Sequence, residues 1–161
     1  AFVQDPNPPP VSYATLPYFG INAFKFTNAK GQTALVRYRL QPMAGAHYLT
    51  KEQVSAKGPD YLADEIRDRV HHGPAKFKLL AQIAEGGDKI DDPTTPWPDT
   101  RRTVELGTIV ISKAVLDSQA AEKKLLFVPG AVIPGIEAAD PMIAARSAAY
   151  IVSLCRRAQT P

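Results

Sequence analysis

A chain of 161 residues that is 45% hydrophobic and 22% charged has ordinary globular composition and enough length to bury a sizeable core. Its formal net charge of +3 argues against a dedicated nucleic-acid binder, because the adjacent basic residues form isolated pairs, Arg101-Arg102, Lys123-Lys124 and Arg156-Arg157, not a block. One cysteine, Cys155, excludes an internal disulfide, and three histidines leave no cluster of zinc type. No apolar run reaches the ~20 residues of a membrane helix, so neither a membrane nor a nucleic acid is an expected partner. The start, Ala1-Phe2-Val3-Gln4-Asp5-Pro6, lacks the basic flank and apolar core of a signal peptide. An initial alanine fits a processed product or a piece of a longer chain. A soluble protein is expected, with the compartment, cytoplasm or periplasm, left open.

Residues 1–12 read as a proline-rich extended arm, with four prolines in the five positions 6–10, too stiff and too poor in donors for helix or central strand. From residue 13 onward the chain is expected to form one domain. Residues 19–27 and 32–41 alternate around the turn Asn28-Ala29-Lys30-Gly31, which predicts a β-hairpin. Phe24 and Phe26 share one face of it, and Val36, Tyr38 and Leu40 alternate with Arg37 and Arg39 as in a sheet with one wet face.

Thr50 and Gln53 have capping-box spacing, and Pro59 is expected to open a second helix through Val70 with Leu62, Ile66 and Val70 as its buried stripe. His71 and His72, just before Gly73, read as helix-end residues and not as metal ligands. Phe77, Leu79, Ala81 and Ile83 alternate with Lys76, Lys78 and Gln82 as a third strand. Residues 86–102 hold three prolines, four aspartates and the only tryptophan, and are expected to be a long, irregular excursion. Asp88, Asp91, Asp92 and Asp99 lack the glycine turn and final glutamate of a calcium loop, so they read as solvated.

A fourth strand over residues 104–113 is apolar on both faces and is expected to be covered on both. Residues 118–124 predict a short helix, Leu125-Leu126-Phe127 a buried apolar patch, and 129–134 irregular chain. Asp140 is placed to cap a last helix whose first position is Pro141 and whose alanine-rich run favours helix. Four residues apart on it, Arg146 and Tyr150 share one face. A permanent cation beside a phenol favours phenolate, a hard donor suited to ferric iron. From spacing alone, though, such a pair is more often a packing pair than a ligand. No internal repeat, phosphate-cradling glycine loop or nucleophile motif is present.

Taken in order, several segments resemble the second half of a haem catalase, and more closely the small catalase-related peroxidases. They are Tyr18-Phe19-Gly20-Ile21-Asn22-Ala23-Phe24-Lys25-Phe26-Thr27-Asn28, Pro96-Trp97-Pro98, Val104-Glu105-Leu106-Gly107, Phe127-Val128-Pro129, Pro134-Gly135-Ile136-Glu137, and Asp140 through Arg146 to Tyr150. The series covers nearly all of the chain from about residue 13. The resemblance implies an α+β fold: about four strands forming half of a catalase-type antiparallel β-barrel, with flanking helices and a C-terminal haem-proximal helix.

It further implies haem b (iron protoporphyrin IX), with Tyr150 as the tyrosinate ligand of the iron, the ligand type catalase is known for, and Arg146 holding it ionised. Met142 and Pro129 would pack on the proximal haem face with Phe127 nearby, and Arg157 would reach a propionate. Two positions depart from the large catalases: Asn22 stands where histidine is usual, and Val128 replaces an aspartate, so bound NADPH is not expected. The family's distal histidine and asparagine belong to the half that precedes this sequence. The implied partners are a peroxide, a small organic electron donor, and a preceding N-terminal half or another chain that completes the barrel, with room for a homo-oligomer. The implied activity is peroxidase rather than efficient catalase. The alternatives are a non-enzymatic haem-binding or structural β-barrel module, and a hydroperoxide-rearranging catalase-like enzyme.

Overall fold

The computed structural model describes residues 8–159. The elements in chain order are β1 (Tyr18–Phe19), β2 (Phe24–Thr27), β3 (Thr33–Pro42), α1 (Lys51–Ser55), α2 (Tyr61–His72), β4 (Ala75–Ile83), β5 (Thr103–Ile111), α3 (Ser118–Lys124), β6 (Ile136–Ala138) and α4 (Met142–Gln159). A single 3-10 turn, Tyr13–Thr15, precedes them. The strands form one six-stranded sheet in the order β5-β4-β3-β2-β6, with β1 beside β3. The sheet is open and mixed with helices, as half of a catalase-type barrel would be. Among the described residues no helix is long and apolar enough to cross a membrane.

Six strands replace the four expected. The predicted first strand breaks, because residues 20–23 leave the extended path and bury Asn22 and Ala23. The other addition, β6, is three residues long, too short for alternation to reveal it. It pairs antiparallel with β2, Phe26 opposite Ile136 and Phe24 opposite Ala138. Gly135 just before it has φ 87°, and a Cβ there would stand 3.0 Å from the carbonyl oxygen of Thr27, so the backbones approach closely only because the residue is glycine. The predicted hairpin is present as β2 and β3, with Phe24 opposite Val36 and Thr27 opposite Thr33. The side-chain oxygen of Asn28 accepts from the amides of Lys30 and Gln32, which closes its turn.

The chain folds as two compact units. One gathers the chain up to Tyr18 with Arg39–Leu80 and Glu105–Ala114; the other gathers Phe19–Tyr38, Ala81–Val104 and the chain from Val115 onward. In the first unit, Ala14, Val70, Ala75 and Phe77 form a core against which Leu40, Ile66 and Ile109 pack. The capping box of Thr50 and Gln53 is present on α1. Helix α2 begins at Tyr61 behind Asp60, two residues after Pro59, and runs on to His72. Of its stripe, Val70 is buried and Leu62 and Ile66 are half-buried. Residues 1–7 of the expected arm lie outside the described residues. Its remainder is extended and docked, since Pro10 bridges Tyr48 and its carbonyl accepts from the Tyr61 hydroxyl at 2.7 Å.

Strand β5 corrects one expectation. Its apolar residues are not covered on both faces: Leu106, Val110 and Ile111 are exposed, and Ile109 alone packs against the core. An apolar sequence marks a face that can be buried, but burial also needs a covering element, and no described element supplies one.

In the second unit, Val36, Ala23 and Ile143 are buried, and Arg37 corrects the wet face. Arg37 is 4% exposed, because the long loop after β4 folds over it. Its guanidinium donates to the carbonyls of Thr95 (2.8 Å), Asp92 (3.0 Å) and Lys89 (3.1 Å) and lies 4.4 Å from the Trp97 ring centroid. The loop is irregular as expected, but its aspartates are not all solvated. Asp88 takes a two-pronged contact from Arg101 at 2.9 and 3.1 Å, and Asp92 accepts from the hydroxyls of Thr94 and Thr95. Leu125, Leu126 and Phe127, expected to be buried, are exposed, Phe127 by 73%.

Candidate functional site

Helix α4 carries the site, and its first turn is fixed from two sides. The carboxylate of Asp140 accepts from the Met142 amide at 2.9 Å, the capping role expected of it. The carbonyl of Ala23 accepts the amides of Ala139 (3.0 Å) and Asp140 (3.2 Å), so the start of the helix is held by the chain just before β2. Ile143, 1% exposed, buries the inner face of that same turn.

From that turn a polar chain runs to the phenol. Asn22 Nδ2 donates to the second carboxylate oxygen of Asp140 at 2.7 Å. Asn22 Oδ1 accepts from Arg146 Nη1, and Arg146 Nη2 donates to Tyr150 Oη at 2.7 Å. The amide of Asn22 can be oriented only this way, since a carboxylate only accepts and a guanidinium only donates. Asn22 and Asp140 are 5% and 1% exposed, so the relay is shielded where it begins and opens at Tyr150. The Arg146 guanidinium also lies 5.5 Å from the Tyr150 ring centroid.

Tyr150 opens into a groove of about 700 Å³ whose wall is the irregular segment after α3 and whose floor is α4. Phe127, Pro129, Arg146, Tyr150 and Arg157 all line it. Met142, the sixth residue singled out in the sequence, is outside that lining and 46% exposed. At the far end of the groove, Arg157 donates through Nη1 to Ser153 Oγ at 2.6 Å and through Nη2 to the Leu125 carbonyl at 2.7 Å. Its Nε is buried with no partner. The groove thus joins apolar walls, a phenol held by a cation, and a second guanidinium at its far end. An apolar ligand with an anionic group and an electrophilic centre suits it.

Sequence reasoning passed over Asn22 and Ser153. Asn22 was noted only as a departure from a pattern, and nothing in a local window shows that it meets Asp140. Ser153 stands four residues before Arg157, and helical spacing alone could have paired them. His71 and His72 are helix-end residues as expected: His72 Nδ1 lies 2.9 Å from the Asp68 carbonyl. Among the described residues no group of three or more His, Cys, Asp or Glu side chains is placed to hold a metal ion.

The family model described as Catalase matches residues 2–160. The chain is 35% identical over 152 residues to a catalase-related peroxidase of Synechococcus elongatus, covering 94% of this chain and 45% of that protein. It is 35% identical over 153 residues to a catalase-related peroxidase of Mycolicibacterium paratuberculosis, covering 94% of this chain and 49% of that protein. Its fold is similar to a crystal structure of a fungal catalase, with a TM-score of 0.79 and 22% identity, covering 92% of this chain and 32% of the other. Catalase A from Saccharomyces cerevisiae superposes with the same TM-score of 0.79 over 92% of this chain and 33% of its own. The chain spans about half the length of the peroxidases it matches.

Proposed function

The chain belongs to the catalase family, and from that premise we propose that it supplies the proximal half of a haem-dependent peroxidase of the catalase-related type. The activity is reduction of hydrogen peroxide or an organic peroxide by a small organic electron donor. The observation that carries this reading is the 2.7 Å contact from Arg146 Nη2 to Tyr150 Oη at the mouth of the groove. The 35% identity to two catalase-related peroxidases favours peroxidase over catalase.

Haem b fits the residues present. Tyr150 Oη would hold the iron, with Arg146 Nη2 donating to that oxygen, and tyrosine is the type of ligand catalase uses. Phe127 and Pro129 would line the proximal face. Met142, outside the groove lining, has only the family resemblance behind the same role. Arg157, whose side chain lines the far end of the groove, would meet a propionate. When bound, haem supplies the redox chemistry that splits peroxide and draws electrons from the donor.

The chain's own residues hold and orient. Asp140 and Asn22 fix the Arg146 guanidinium, so the donor facing Tyr150 does not have to reorganise. Residues that would handle the peroxide proton are assigned to the preceding half, supplied by a longer chain or a second one, which would also cover the exposed apolar face of β5. Residues 13–161 then act as the C-terminal half of a catalase-like haem domain, and a homo-oligomer is compatible with this arrangement. With the preceding half supplied, the haem-loaded protein is expected to oxidise a chromogenic phenol with peroxide faster than it releases oxygen. Oxygen release that dominates in the presence of the donor would overturn the peroxidase assignment.

A further inference from the structure

The wall of the groove, residues 125–131, has no regular structure and is poorly buried: Leu125, Leu126 and Phe127 are 43%, 36% and 73% exposed. Those three side chains therefore do little to hold it against α4, and only Val128 and Pro129 are half-buried. Two polar contacts do. Near one end the amide of Gly130 donates to Ser147 Oγ at 3.1 Å, while the same hydroxyl donates to the Ile143 carbonyl at 2.8 Å, so both of its hydrogen-bonding roles are used. At the other end Arg157 Nη2 donates to the Leu125 carbonyl at 2.7 Å, and Ser153 holds the same guanidinium through Nη1.

The fit at the first contact is close. A Cβ on Gly130 would stand 3.1 Å from Ser147 Oγ and 3.6 Å from Ile143 Cγ2, so the wall sits as near the helix as a residue without a side chain permits. Ser147 and Arg157 are separated by about 15 Å along α4, at ~1.5 Å per residue. Tyr150 and Ser153 lie between them in sequence. The two contacts thus bracket the groove.

We propose that Ser147 is a positioning residue that, together with the Arg157–Leu125 contact, fastens the 125–131 strap to α4 and thereby sets the width of the groove for its ligand. The proposal rests on the haem reading above. Ser147 touches neither the groove nor Tyr150 and acts only through the strap. Cutting its contact leaves the Arg146–Tyr150 pair in place and lets the wall carrying Phe127 and Pro129 move away from the floor.

The test uses the whole chain and its variants Ser147→Ala and Ser147→Thr, with two readouts: hydrogen exchange of strap amides without haem, and haem affinity by titration. In Ser147→Ala, exchange at Gly130 and its strap neighbours is expected to rise about tenfold and the haem dissociation constant about fivefold, the scale of one lost hydrogen bond. The ferric spectrum and the urea midpoint should stay as in the parent. Ser147→Thr, which keeps the hydroxyl, should restore both readouts. Gly130→Ala, which crowds Ser147 Oγ, should loosen the strap alone but less so when combined with Ser147→Ala.

Unchanged strap exchange in Ser147→Ala would overturn the proposal, as would a loosened strap with unchanged haem affinity, or a threonine variant that behaves like alanine. In those cases the parent still binds haem through Tyr150 and the haem reading stands. A parent chain that takes up no haem, or whose spectrum ignores Tyr150, would instead overturn the haem reading and this proposal with it.

Discussion

Asn22 and Asp140 lie 118 positions apart in the chain and are joined by a 2.7 Å hydrogen bond, both buried. Through that bond the cap of α4 and the guanidinium that faces Tyr150 become parts of one polar chain. Asn22→Leu keeps the branched shape at some cost in volume and removes both of its contacts, leaving a buried carboxylate oxygen and a guanidinium nitrogen without partners. The expected cost is about 2–3 kcal/mol, read from urea unfolding, because stranded charged groups lose more than a neutral hydrogen bond is worth. Asn22→Asp should be worse than Asn22→Gln, since it sets a second carboxylate against Asp140. Equal stability of the leucine variant and the parent would show that the chain of contacts does not hold Arg146.

Arg37 is the cation around which the 84–102 loop is wrapped. Arg37→Lys retains the charge but not the planar fork that serves three carbonyls and stacks on Trp97, so it should recover little of what Arg37→Ala loses. Each is expected to destabilise the chain by about 3 kcal/mol. Trp97 is the only tryptophan and is 4% exposed, so its fluorescence should shift to the red in both variants. Full rescue by lysine would mean that charge alone holds the loop.

The same loop carries an acid sensitivity. Hydrogen bonds from the hydroxyls and amides of Thr94 and Thr95 push the Asp92 carboxyl down to about 2, below the ordinary carboxylate value near ~3.9. A carboxyl whose folded value is depressed contributes stability that is fully present above its unfolded value and is lost as pH falls through its folded value. The loop should therefore loosen between about pH 4 and pH 2, followed by Trp97 fluorescence. Asp88, lowered by its bond to Arg101, acts in the same direction. Asp92→Asn should flatten the transition in that window and leave the neutral-pH spectrum unaltered.

Much of the site was legible because it is local. Asp140 and Pro141 announce the start of α4, its alanines favour helix, and Arg146 and Tyr150 meet because helical spacing brings them together. Long-range contacts left no such trace: Asn22 reaches Asp140 only once β2 and α4 are folded, and three-residue β6 is too short to show a period. Burial was misread in both directions for a common reason. Arg37 looked wet and is covered by a loop that no alternation describes, whereas β5 and residues 125–127 looked buried and are exposed. An apolar pattern states what a face tolerates, and what covers it depends on the rest of the fold.

The most direct measurement is the visible spectrum of the haem-reconstituted chain beside its Tyr150→Phe variant. The parent is expected to give a tyrosinate-type ferric spectrum, and the phenylalanine variant, which lacks only the oxygen that Arg146 contacts at 2.7 Å, should lose it while keeping its fold. Arg146→Leu should weaken the same spectrum without abolishing haem uptake. An identical spectrum from the parent and Tyr150→Phe would contradict the assignment of Tyr150 as the iron ligand.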